Sequence, residues 1–181
     1  MRQALTAENL QAFMKALASG ARTSSRIYLV GGATAVLLGW RSATIDVDLK
    51  IVPESDEILR ALPRLKEQLH INVELASPDD FIPALPGWQE RSRFIQQERR
   101  IAFYHYDFYA ETLAKVQRGH EIDLSDAKHF VESGLVEPTR LRELFAAIED
   151  QIFRYPELNR QTFKDDLDRF LRSYLDTAPN E

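Results

Sequence analysis

The sequence predicts an α/β protein, on three observations. Within Thr44 to Val52, apolar Ile45, Val47, Leu49 and Ile51 alternate with Asp46, Asp48 and Lys50, which is the period of a strand with one packed face. A short apolar run, Ile27–Val30, leads directly into Gly31-Gly32, as a buried strand entering a turn does. From Asp107 onward the pattern becomes helical almost to the end. The first half therefore alternates strands and helices, and the second half is nearly all helix. With 181 residues, the chain suits one compact domain or a domain plus a helical appendage. We expect a core over 1–106, a helical region over 107–176 packed on it, and a polar, Pro-containing tail over 177–181 that frays.

The elements follow in order. Thr6 caps a first helix, whose apolar stripe is Leu10, Phe13, Met14 and Leu17. Gly20 to Ser25 is a turn, and Ile27–Val30 is the first strand. Ala33 to Leu38 reads as a short buried helix closed by Gly39. The strand Thr44–Val52 comes next. Ser55 caps a helix with Asp56 and Glu57 in its first turn, and Pro63 is expected to kink or split it. Ile71–Leu75 is a short strand. Ser77-Pro78-Asp79-Asp80 is a helix start, Pro83 to Trp88 a loop, and Arg99 to Tyr106 an aromatic-rich strand. Helices then end near Gly119, run from about Asp123 to Ser133 with Gly134 as stop, follow Pro138, and span roughly Asn159 to Leu175.

Composition narrows the function classes. Hydrophobic residues make up 44%, with ten Phe, six Tyr and two Trp, enough for a core. A formal net charge of −5 gives no global basic field for nucleic acid, although a local patch is compatible with it. Without cysteine there are no disulfides, thiolate zinc sites or Cys nucleophiles. No apolar h-region or run of about 20 apolar residues occurs, so neither signal peptide nor membrane span is expected, and a cytoplasmic location is.

The chemistry concentrates in two places. Asp46 and Asp48 are at i and i+2 of a strand and project from one face, with Cα atoms about 6–7 Å apart. Two carboxylates there repel unless water or a cation separates them. The apolar neighbours Ile45, Val47 and Leu49 fix the strand in the core, and carboxylates on a rigid strand suit magnesium, a hard ion that prefers oxygen ligands. Gly31-Gly32 ends one strand and begins a helix, where backbone N–H groups can approach a phosphate and Thr34 can add a hydroxyl. Thirteen residues separate Gly32 from Asp46, so the phosphate cradle and the acid pair can face each other if their strands are neighbours. Glu74, in a strand with Val73 and Leu75 on the opposite face, is the candidate third carboxylate, as metal ligand or as base for an attacking hydroxyl.

The run YLVGGATAVLLGWRSATIDVDLKIV resembles the core motif of the polymerase-beta-like nucleotidyltransferase superfamily: Gly-Gly, a short helix, then Asp-x-Asp on a strand. LAKVQRGHEIDLSDAKHF, Leu113 to Phe130, is similar to a later motif of AbiEii-type bacterial toxin transferases and related minimal nucleotidyltransferases. Lys115, Arg118, Asp123 and Asp126 match it; Ile122 stands where that motif has Arg. The resemblance implies a nucleotidyltransferase fold with a short mixed sheet flanked by helices, Mg2+, and a nucleoside triphosphate donor. It implies in-line attack by an acceptor hydroxyl on the α-phosphate, with pyrophosphate leaving. Asp46, Asp48 and Glu74 would hold metal, Gly31 and Gly32 the triphosphate, and Lys115 would face it, with Thr34, Arg41 and Arg118 as further phosphate contacts. The acceptor is then the 3′ end of RNA such as tRNA, a protein hydroxyl, or a small molecule, and a toxin–antitoxin pair with a cognate partner is implied. The rival is a non-catalytic nucleotide sensor or partner-binding antitoxin.

Plainer roles stand beside these. Asp123 can cap its helix with Asp126 at N3, Arg118 can complement a helix C-terminus, and Arg41 can cap the Trp40 turn. Arg91, Arg93, Arg99 and Arg100 form the best local basic run for a polyanion, against a solvated loop and strand edge. His70, His105, His120 and His129 lack metal-ligand spacing, and Tyr104, Tyr106, Phe108 and Tyr109 read as core before base-stacking groups.

Overall fold

The computed structural model describes residues 4–175, so the tail expected to fray lies outside the described residues. The described chain forms two compact units. The residues up to Ser77, together with Ser92–Tyr106, make the first; Pro78–Arg91 and the residues from Asp107 onward make the second.

The first unit holds the sheet. Its strands are β1 Ser25–Val30, β2 Asp46–Val52, β3 Asn72–Leu75, β4 Arg93–Glu98 and β5 Ile101–His105, in the order β3-β2-β1-β5-β4. β2 is antiparallel to β1 and parallel to β3, while β1 is parallel to β5, so the sheet is mixed. Helices α1 Ala7–Ser19, α2 Gly32–Leu37 and α3 Asp56–Gln68 belong to this unit. Leu10, Phe13 and Met14 of α1 and Ile58 and Leu62 of α3 share one apolar cluster with Ile27, Leu29, Val47, Leu49 and Phe103 of the strands. Alternation along each strand turns the other residues to the opposite face.

Local chemistry explains the boundaries. The Thr6 hydroxyl accepts from the Asn9 N–H, and the Asn9 side chain accepts in return from the Thr6 N–H at 3.1 Å, a reciprocal cap. Ser55 caps α3 through the Ile58 N–H. Pro63 was expected to break α3, yet the helix is one element from Asp56 to Gln68. Proline removes one hydrogen bond, but the stripe Ile58, Leu62, Leu65 buries apolar surface on both sides of it. Ser77 to Asp80 gives only a single 3-10 turn, Pro78–Asp80. The expected strand Arg99–Tyr106 is the second half of a hairpin: β4 precedes it, with Arg99 at φ +51° in the turn. β4 escaped the sequence reading because its residues are mostly half-exposed and a register shift between Phe94 and Gln96 breaks its alternation.

The junction from β1 into α2 is tied by a buried polar link. The Thr34 hydroxyl donates to the Leu29 carbonyl at 3.2 Å, and His105 Nδ1 lies 3.1 Å from the Thr34 hydroxyl oxygen. With the hydroxyl proton on the carbonyl, Nδ1 carries the imidazole proton and donates it to Thr34. Burial, with Arg93 adding to it, lowers the His105 pKa from 6.5 to about 4.

The second unit contains α4 Trp88–Arg91, α5 Phe108–Arg118, α6 Glu121–Glu132, α7 Pro138–Ile148 and α8 Arg160–Leu175. Asp107 caps α5 by accepting from the Tyr109 N–H at 3.1 Å, and Arg91 donates to its other oxygen at 2.6 Å. Burial raises the Asp107 pKa, with Arg91 and the cap opposing that rise. Gly119, at φ +69°, ends α5 with its N–H on the Lys115 carbonyl. A buried ionic cluster joins α5 to α6: Lys115 Nζ lies 2.8 Å from Asp126 Oδ2 and 3.4 Å from Asp123 Oδ1, and Arg118 Nη2 lies 2.7 Å from Asp123 Oδ1. Asp123 and Asp126 thus do not form the capping arrangement; His120 is the N-cap, and both carboxylates turn inward to cations.

Two predictions follow from these buried groups. An unfolded histidine takes its proton near pH 6.5, whereas His105 in the fold takes it near 4. Stability is therefore full above pH 6.5 and falls as pH drops toward 4, by about 3 kcal/mol in total. Urea unfolding of wild type and His105→Gln across that range should show this slope only in the wild type. Lys115→Met leaves two buried carboxylates short of their shared cation and should cost roughly 3–5 kcal/mol; adding Asp126→Asn should recover part of it in the same assay.

Candidate active site

The acid pair arises from the alternation in β2. Val47, Leu49 and Ile51 are buried in the core, which forces Asp46, Asp48 and Lys50 to the other face. The register then selects their neighbours. Asp46 pairs with Asn72 and Asp48 with Glu74 across β3, while Val30 pairs with Asp48 across β1. Directly paired residues share a face, so Asp46, Asp48, Asn72 and Glu74 lie together. Asn72 Nδ2 donates to Asp46 Oδ1 at 2.7 Å and to Glu74 Oε1 at 2.9 Å. The structure thus brings the three sequence-predicted carboxylates to adjacent positions of two strands.

The glycines stand beside them. Gly31 follows β1 with φ +63°, a conformation that favours glycine, and a Cβ there would come within 3.3 Å of Asp48 Oδ2. Gly32 begins α2 with no room for a side chain: a Cβ would strike the Thr44 hydroxyl and lie 3.5 Å from Arg41 Nη1. The diglycine therefore closes against Asp48 on one side and against Thr44 and Arg41 on the other. Thr44 itself is fixed by backbone hydrogen bonds in both directions with Leu5, and its hydroxyl donates to the Asp46 carbonyl at 3.2 Å.

Other singled-out residues occupy different settings. Thr34 is fully buried, and its hydroxyl is engaged by Leu29 and His105. Lys115 and Arg118 belong to the second unit, in the ionic cluster with Asp123 and Asp126. Ile122, at the position where the resembled motif has Arg, is exposed. Within the basic run, Arg91 is committed to Asp107, Arg99 donates to the Ser19 carbonyl at 3.2 Å, and Arg93 and Arg100 are exposed. Tyr106 and Phe108 are buried, whereas Tyr104 is half-buried between Tyr28 and Phe94.

Sequence reasoning passed over Asn72 and gave Thr44 no role. A polar residue two positions before Glu74 in a strand shares its face, so the spacing Asn72-x-Glu74 was the available signal for the first.

The donor set suits magnesium. It offers carboxylate oxygens on a packed strand and a bend that excludes side chains. Among the described residues, no three acidic or imidazole groups converge into a metal cage made by protein alone. Magnesium is commonly held by one or two carboxylates, with substrate phosphates and water completing the octahedron, and Asp46 with Asp48 meets that requirement.

No helix among the described residues is long and apolar enough to cross a membrane. No curated protein and no solved structure matches the chain. The family model described as a nucleotidyltransferase of unknown function, DUF6036, matches residues 6–174. That span takes in the diglycine bend, the strand carrying Asp46 and Asp48, Glu74 and the ionic helices, and the chain belongs to this nucleotidyltransferase family.

Proposed function

We propose that the protein transfers a nucleoside monophosphate from a nucleoside triphosphate to an acceptor hydroxyl, with Mg2+ held by Asp46 and Asp48. The observation that carries this reading is the meeting of Gly31 with the Asp48 carboxylate: a bend that admits no side chain lies against one of two strand-borne acids. Membership in a nucleotidyltransferase family supports the reaction class and the triphosphate substrate.

In this reading Gly31 and Gly32 receive the triphosphate, because only a backbone without Cβ leaves space beside Asp48 and Thr44. Arg41, whose guanidinium reaches Gly32, adds positive charge there. Bound Mg2+ would supply charge neutralisation and Lewis acidity at the phosphate oxygens. The acceptor oxygen forms a bond to the α-phosphorus as the bond from that phosphorus to the bridging oxygen breaks, and pyrophosphate carries away the electron pair. Glu74, exposed at the strand end and tied to Asp46 through Asn72, takes the acceptor proton or completes the metal site. Such transfer needs positioning and electrostatics more than covalent help from the protein. The resemblance of Leu113 to Phe130 to a later nucleotidyltransferase motif adds Lys115 and Arg118 as triphosphate contacts. The acceptor is an RNA 3′ end or a protein hydroxyl, and the resemblance to toxin transferases adds a cognate toxin or antitoxin partner.

Asp46→Ala combined with Asp48→Ala should abolish transfer and magnesium-dependent nucleotide binding while leaving thermal unfolding cooperative. Unchanged transfer in that double variant rules the mechanism out. Incubation of the wild type with α-labelled NTP, cell RNA and cell protein should put label into one fraction and so name the acceptor class. Tight binding by calorimetry without label in either fraction would favour a nucleotide sensor.

A further inference from the structure

The least expected member of the acid face is neutral. Asn72 is buried, 6% exposed, whereas Glu74 two residues on is exposed. Its single amide nitrogen donates to Asp46 at 2.7 Å and to Glu74 at 2.9 Å. Each amide proton is thus spent on a different carboxylate, on different strands, and the backbone ladder between β2 and β3 places Asn72 directly opposite Asp46.

We propose that Asn72 is a positioning residue, whose amide holds Asp46 and Glu74 at the spacing that a magnesium-bound nucleoside triphosphate engages. This rests on the nucleotidyltransferase reading of the same face.

The residue type carries the argument. Two neighbouring carboxylates repel and rotate apart unless something donates to both. A lysine between them would neutralise the charge that attracts a cation. An aspartate would add a third negative charge with no donor. An amide gives two N–H groups, carries no formal charge and does not titrate in the working range. It therefore orders the acids without quenching their charge. It engages one oxygen of each, Oδ1 of Asp46 and Oε1 of Glu74, and leaves the second oxygen of each to other partners. Groups that orient metal ligands through hydrogen bonds have a characteristic effect on removal, a loss of metal affinity by about 10–100-fold.

The test uses the full chain. Binding of a fluorescent NTP analogue is titrated with Mg2+, and thermal unfolding is followed in EDTA. In Asn72→Ala the half-saturating Mg2+ concentration should rise about tenfold, with analogue binding recovered at excess Mg2+ and the EDTA midpoint close to wild type. Asn72→Asp should unfold at lower temperature in EDTA and gain more from Mg2+ than wild type does. Asn72→Ser keeps one donor; it should give an intermediate shift and serves where the alanine variant does not fold. Wild-type magnesium dependence in a folded alanine or serine variant overturns the proposal, as does a lowered midpoint with no change in magnesium dependence. If the wild type itself binds the analogue without regard to Mg2+, the nucleotidyltransferase reading falls and this proposal with it.

Discussion

Like charges on one face of a strand are the constraint around which the first unit is arranged. Asp46 and Asp48 project together because Val47, Leu49 and Ile51 between and beyond them are buried. A one-residue slip in register would bury the acids and expose the apolar set, so the hydrophobic core enforces the carboxylate geometry. The repulsion between the acids is tolerated because burying the alternate residues stabilises the strand by more than the repulsion costs. Val47 and Leu49 are fully buried, and a side chain of that size contributes about 1.5–3 kcal/mol.

The surroundings of the acids follow from the same alternation. β1 runs antiparallel beside β2, so the residue paired with Asp48 is Val30, and the chain must turn immediately afterwards. A Cβ at that turn would lie 3.3 Å from the Asp48 carboxylate, and it is the φ of +63° that favours glycine at position 31. On the other side β3 runs parallel after the α3 crossover, and its register sets Asn72 and Glu74 opposite the acids. Tyr28 and Tyr104 stack with ring centroids 5.3 Å apart on the same face, and Arg26 lies over Tyr104 at 5.9 Å. One side of the sheet is thus apolar core, and the other carries charged and aromatic groups.

Much of this was legible in the sequence because it is periodic or punctuated. The alternation in β2, the stripe of α1 with its Thr6 cap, and the glycine stops at 119 and 134 each have a local cause that one segment contains. What failed to show had a non-local cause. β4 is an edge strand with an irregular register, so its pattern reflects pairing with β5 rather than burial. Pro63 announces a break, but the apolar stripe that continues past it belongs to a core assembled from distant segments. Asp123 reads as a cap because caps are the common fate of an Asp near a helix start, and only the fold brings Lys115 and Arg118 to it. Thr34 reads as a phosphate donor from its place after the diglycine, yet the β5 residue His105 draws its hydroxyl inward.

The ionic helices answer a different electrostatic problem from the acid face. Lys115 and Arg118 together balance Asp123 and Asp126, so this cluster carries little net charge of its own. Two carboxylates within 3.4 Å of the buried Lys115 ammonium offset the loss of its hydration. The carboxylates in turn need the cations, and neither set survives the loss of the other cheaply. A cluster of this kind specifies which turn of α5 meets which turn of α6, because a shift along either helix separates the charges.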